Sequence, residues 1–179
     1  MVLVSDEDTK KAEEYQWLGK SYDALIDLSV KTDTWDIDYH DRIEEIEGRF
    51  EGSVEEIKKQ LDRLVPSYVL PIPSFSAKKV AGKRLYKSAR AWKEIKVDRE
   101  MDIYGYEVIS YEWPLLKVSF DVGSGTFIRS IAHWLGEQLG TGGVIRELRR
   151  TSIGPWKMDE LDNLITFSKN ETWYWTIVD

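Results

Sequence analysis

With 179 residues, 42% of them apolar, and with 8 Trp and 9 Tyr, the chain can form one domain with a sizeable core, and this composition excludes disorder. It has no cysteine, which removes disulfides, thiolate zinc sites and cysteine nucleophiles; His40 and His133 alone are too few imidazoles for a histidine metal centre. The net charge of −7 is unevenly spread, because Lys78 to Arg99 holds nine Lys/Arg against Glu94 and Asp98. A polyanion feels charge only within about 10 Å at ordinary salt, so it would meet a locally cationic segment. Lysines scattered over a solvated helix face give the same count. No apolar run approaches the ~20 residues that cross a bilayer, and the acidic stretch Met1–Lys11 lacks a signal-peptide core, so a cytoplasmic protein without membrane contact is expected.

In chain order, Tyr22, Ala24, Ile26, Leu28 and Val30 alternate with polar residues, Leu25 excepted, and predict a strand with one wet face. Thr32 to Asp38 is polar and reads as a loop, and Arg42 to Glu51 is charged and ambiguous. Ser53-Val54-Glu55-Glu56 is a capping-box pattern, followed by Val54, Ile57, Leu61 and Leu64 on one helical face, with Pro66 as the stop. Pro71 and Pro73 impose extended backbone, and Gly82 precedes a short helix through Leu85, Ala89 and Trp92. Met101 to Trp113 reads as a strand bent at Gly105, and Leu116, Val118, Phe120 and Val122 alternate in a second; with Pro114 between them they form a hairpin. Gly123-Ser124-Gly125 turns the chain into a helix with Ile128, Ile131, Ala132, Leu135 and Leu139 on one face and Gly140 as its cap. A second basic turn follows at Leu148-Arg149-Arg150-Thr151, and residues from about 156 to 179 form a Trp-rich tail that packs down or marks a partner surface. Strands and helices mix without regular βαβ alternation. The expected fold is one α+β domain with a mixed, largely antiparallel sheet flanked by helices.

Several residues carry chemical alternatives. Gly123 to Thr126, ahead of a helix, can hold an anion or simply make a tight turn; without a Gly-Lys-Ser/Thr ending it is not a nucleotide P-loop. Arg129 in the first helical turn opposes the helix dipole, so if buried it needs a carboxylate or phosphate partner, and otherwise it is an exposed residue at a frayed end. Tyr22 on an apolar strand face fits ordinary core packing. Asp33, Asp36 and Asp38 lack the glycine and distal glutamate of a calcium loop and read as turn residues. Ser124 has no convincing triad partners.

Four ordered blocks resemble the TruB family of tRNA pseudouridine synthases: Lys20-Ser21-Tyr22 with Thr32-Asp33-Thr34-Trp35-Asp36; Pro73-Ser74-Phe75-Ser76-Ala77-Lys78-Lys79 with Gly82-Lys83-Arg84-Leu85-Tyr86 and Ala89-Arg90; Gly125 to Ser130; and Leu148 to Thr151. The resemblance implies isomerisation of a T-loop uridine of tRNA without metal or cofactor. It implies that Tyr22 packs on the flipped base and serves as a base on the sugar, and that Arg129 pairs with a nucleophilic aspartate. Leu148 would line the uracil pocket. Phe75 would stack, Gly125 and Thr126 would border the substrate, and Lys78, Lys79, Lys83, Arg84 and Arg90 would hold phosphates.

The family's Gly-x-Leu-Asp-Pro-x-Ala-x-Gly segment does not occur. Matching Thr9-Lys10 to the family's Thr-Lys puts that aspartate several residues ahead of Met1, with Asp6 and Asp8 poor substitutes. The chain is therefore expected to be a partial catalytic domain without its C-terminal RNA-binding module, and inactive alone. Three explanations compete: a gene start lying upstream, a split enzyme whose other polypeptide supplies the aspartate, or a non-catalytic RNA-binding remnant. Ser29 and Tyr39 replace family glycines, and Phe75 replaces a tyrosine. An interaction protein using Trp173 to Trp175 is the remaining alternative.

Overall fold

A computed structural model describes residues 12–38, 40, 42–73, 79–80, 83–84 and 97–158. Its elements are α1 (Ala12–Trp17), β1 (Lys20–Asp27), β2 (Val30–Thr32), β3 (Ile43–Glu45), α2 (Val54–Leu61), a 3-10 turn (Asp62–Leu64), β4 (Ser67–Pro71), β5 (Lys79–Val80), β6 (Lys83–Arg84), β7 (Asp98–Glu112), β8 (Leu115–Val122), α3 (Ile128–Leu139), β9 (Val144–Ile153) and β10 (Trp156–Lys157). Six strands form one antiparallel sheet in the order β10-β9-β1-β8-β7-β4; β2 with β3 and β5 with β6 are two-stranded. The fold is α+β, as expected. Among the described residues no helix is long and apolar enough to cross a membrane.

The alternation read from β1 is real, and Ala24 and Ile26 are buried with Val118 and Phe120 of β8, Ile103 of β7, Ile57 and Leu61 of α2, and Ile131 and Leu135 of α3. Each of the larger of these side chains contributes about 1.5–3 kcal/mol by leaving water. The strand stops at Asp27, however, rather than running to Val30. Asp27 Oδ1 accepts the Ser29 amide at 2.9 Å and the Ser29 hydroxyl at 2.7 Å, turning the chain before β2.

The capping box forms: the Glu56 amide donates to Ser53 Oγ at 3.3 Å, and the Ser53 amide donates to Glu56 Oε2 at 2.7 Å. Ile57, Leu61 and Leu64 are fully buried. β7 and β8 make the expected hairpin, with register shifts between Ile103 and Gly105 and between Val108 and Ser110. Gly140 closes α3 at φ 70°, the left-handed region that glycine enters without a Cβ clash. The expected helix after Gly82 and most of the Trp-rich tail lie outside the described residues.

A second expectation is corrected. Leu148-Arg149-Arg150-Thr151 is not a turn; it lies within β9, paired along its length to β1. Its charged sequence hides the strand because much of it is only half buried or exposed, so no apolar alternation is required.

Candidate active site

The loop after β2 is built by its own threonines and aspartates. Thr32 Oγ1 accepts the Asp36 amide at 3.1 Å, Thr34 Oγ1 donates to the Asp36 carbonyl at 3.2 Å, and Asp36 Oδ1 accepts the Asp38 amide at 3.1 Å. Two backbone bonds fasten the loop to β9, from the Ile145 amide to the Trp35 carbonyl at 3.1 Å and from the Ile37 amide to the Ile145 carbonyl at 3.0 Å. Trp35 sits at φ 61°, a conformation that costs an L-residue about 1–2 kcal/mol. Its ring stacks on His133 of α3, with centroids 4.2 Å apart and planes 5° from parallel. Such a contact returns part of that cost, about 0.5–1.5 kcal/mol.

One turn earlier on α3, Arg129 points at the same loop and donates from Nη1 to the Thr34 carbonyl at 3.3 Å. Arg129 and His133, four residues apart, share a helix face, so α3 grips the loop at two successive turns. Burial lowers the readiness of the Arg129 guanidinium to hold its proton, and the negative charge of Asp36 opposes that effect. Among the described residues no carboxylate lies within ion-pair distance of Arg129. A half-buried cation with one carbonyl partner and one more distant carboxylate has unused donors for an anionic group.

Two further candidate residues, Tyr22 and Leu148, lie on the face of the sheet that α3 covers. Tyr22 packs against the core, paired across β8 to Phe120 and across β9 to Arg150. Leu148 stands across from Ala24, and although Ala24 is buried, Leu148 is 45% exposed, so the sheet is uncovered at this point. The register puts Lys20, Tyr22, Leu148 and Arg150 on one side of β1 and β9. Gly125, at φ 83°, and Thr126 form the turn into α3, and the Thr126 hydroxyl donates to the Asp102 carbonyl at 3.0 Å. The Lys20 ammonium donates to the carbonyls of Gln16 at 3.0 Å and Leu18 at 2.7 Å. Lys79, Lys83 and Arg84 fall in the β5–β6 hairpin, whereas Phe75, Lys78 and Arg90 lie outside the described residues.

Read residue by residue, the sequence treated Asp36 as a turn residue. It is one, and it is also the carboxylate whose charge reaches Arg129. The i, i+4 spacing of Arg129 and His133 was the available signal for a helix face turned toward that loop. Behind the loop, Asp27 is 2% exposed and accepts Arg146 Nη2 at 2.6 Å and Nε at 3.1 Å. Burial pushes its carboxyl up, but the Ser29 hydroxyl and amide and the Arg146 guanidinium outweigh that and hold it below the usual 3.8. Nothing in the sequence marked this pair, whose members are 119 positions apart.

This sheet, with its helices and loop, is the pseudouridine synthase fold. A Cbf5–Nop10–Gar1 complex shares it at a TM-score of 0.57 and 26% identity, over 84% of this chain and 36% of the matched one. An H/ACA ribonucleoprotein bound to a substrate RNA containing 2′-deoxyuridine shares it at a TM-score of 0.59 and 22% identity, over 88% and 35%. The family model for the N-terminal domain of TruB pseudouridylate synthases matches residues 1–128, and the chain belongs to that family. The tRNA pseudouridine synthase B of Chloroherpeton thalassium is 31% identical over 168 residues, 92% of this chain and 68% of the relative. That of Chlamydia abortus is 32% identical over 171 residues, 89% and 67%, and that of Oleidesulfovibrio alaskensis is 35% identical over 146 residues, 81% and 47%. The chain thus spans about two thirds of the first two, under half of the third, and about a third of the solved chains.

Proposed function

We propose that this chain supplies the base- and sugar-handling part of a site that converts a T-loop uridine of tRNA to pseudouridine, and that the nucleophilic aspartate of that reaction is not among its 179 residues. The observation that carries the reading is Arg129, half-buried on the first turn of α3 and directed at the Thr34–Asp36 loop with donors to spare. In the reaction the bond from N1 to the ribosyl carbon breaks, the uracil turns, and carbon 5 bonds to that carbon. The proton leaves carbon 5 and one is taken up at N1, so no oxidant or reductant enters.

Tyr22 offers a ring face to the flipped base, whose extrusion from the stack costs a few kcal/mol. Leu148 walls the uracil, and Arg129 orients and keeps ionised the carboxylate that approaches it. Phe75, Lys78, Lys79, Lys83, Arg84 and Arg90 belong to the segment that holds the RNA backbone, with Gly125 and Thr126 shaping the turn below.

Tritium release from a tRNA transcript labelled at uridine carbon 5 tests this. The 179-residue chain alone should release none. Turnover by it would show that an internal carboxylate serves and would overturn the assignment of the nucleophile. Joined to, or mixed with, a polypeptide carrying the Gly-x-Leu-Asp-Pro-x-Ala-x-Gly segment, it should turn over. Arg129→Ala should then lower the rate by about 10²–10³, the loss typical of one electrostatic partner. A second reading, RNA binding without isomerisation, draws on the cationic run from Lys78 to Arg99 together with the missing segment. It is favoured if the chain binds the transcript and the supplied segment restores nothing.

A further inference from the structure

The two arginines of Leu148-Arg149-Arg150-Thr151 face different surroundings. Arg149 stands directly across from Asp23, and side-chain alternation puts both on the far side of the sheet, where Ser21 donates to Asp121 Oδ1 at 2.5 Å. Arg150 stands across from Tyr22, on the side of Lys20 and Leu148. The nearby sheet positions on that side are Lys20, Tyr22, Ala24, Phe120, Val122, Leu148, Arg150 and Ile153, so among the described residues of the sheet the two cations meet no anion there. Among the described residues the Arg150 side chain has no hydrogen-bonded or ion-pair partner. Lys20 uses two of its three donors on the Gln16 and Leu18 carbonyls. Burial, and after it the charge of Arg150, hold its ammonium pKa below the ordinary lysine range, as expected for like charges close together.

We infer that Lys20 and Arg150 together seat a backbone phosphodiester of the bound RNA beside the Tyr22–Leu148 strip, an assignment that rests on the RNA-modifying reading above. A phosphodiester carries one negative charge and acceptor oxygens suited to the planar guanidinium fork, and it relieves the repulsion between the two cations. The uncovered strip at Leu148 leaves room for a base on the same side. In the sequence the pair lies outside the Lys78–Arg99 run, which reads as a general backbone clamp.

The test is fluorescence anisotropy of a labelled T-arm hairpin RNA with the 179-residue chain, titrated over salt. Arg150→Gln should weaken binding about tenfold at low salt, as for a lost charge-assisted bond, and should reduce the slope of log K against log[salt] by about 0.7. Arg150→Lys should keep the wild-type slope. Lys117→Gln, on the opposite face of β8, should leave both values unchanged. Thermal melts check that each variant is folded. If the wild type binds and Arg150→Gln has the wild-type slope, the phosphate seat is wrong while the proposed function stands. If the wild type shows no salt-dependent binding, both fall. Inorganic phosphate should displace no more RNA than chloride at matched ionic strength. Selective displacement would reassign the pair to free phosphate and overturn the inference.

Discussion

Asp27 and Arg146 show how one ion pair fixes a site it does not enter. The Asp27 carboxylate turns the chain through Ser29, and Arg146 follows Ile145, the residue that bonds the Asp36 loop through both its amide and its carbonyl. Arg146→Met leaves a buried carboxylate with only the Ser29 contacts, at an expected cost of about 2 kcal/mol; the value is kept low because the Arg146 side chain is 47% exposed. The Asp27 pKa is depressed by folding, so its contribution is complete above the unfolded value of about 4 and is lost as pH falls through the lower folded value. Urea midpoints of wild type and Arg146→Met should differ at neutral pH and converge in acid below that value. A constant gap down to pH 2 would show that the pair acts by packing alone.

At the level of elements, the sequence was informative wherever burial imposed a period. β1, α2, the β7–β8 hairpin and α3 were legible because Ala24, Ile57, Phe120 and Ile131 each sit where a regular apolar spacing meets the core. β9 was not, since Arg146, Glu147 and Arg149 are exposed and Arg150 only half buried, so no period is enforced. Of the candidate site, Tyr22, Leu148 and Arg129 came with family blocks, but the proximity of Asp36 to Arg129 depends on a helix that arrives more than ninety positions later.

The joint between these elements is glycine-rich. The Gly142 amide donates to the Leu28 carbonyl at 2.8 Å, and a Cβ on Gly142 would collide with the Val30 backbone. Gly142→Ala should cost at least about 1–3 kcal/mol, because backbone and not a flexible side chain must yield. It should also separate α3 from the loop, so that loss of the Trp35–His133 stack accompanies the lower melting temperature. A variant of wild-type stability would mean that the close approach is relaxed in solution.

At the scale of the sheet, the order puts β1, the first strand among the described residues, in the middle, between β8 and β9. Amide exchange should therefore be slowest at Ala24 and Ile26, which are laddered on both sides, and fastest in β4 and β10 at the sheet edges. Equal protection of β10 and β1 would contradict this architecture. The same order has a bearing on biosynthesis. Tyr22 leaves the ribosome before either of its ladder partners exists: Phe120 follows it by 98 residues and Arg150 by 128. At a translation rate of about 5–20 residues per second, β1 waits from about 5 to about 25 seconds as unprotected nascent chain. Helper proteins and proteases have that interval in which to act on it, and termination between Val122 and Val144 releases a polypeptide whose central strand is left with one side unzipped.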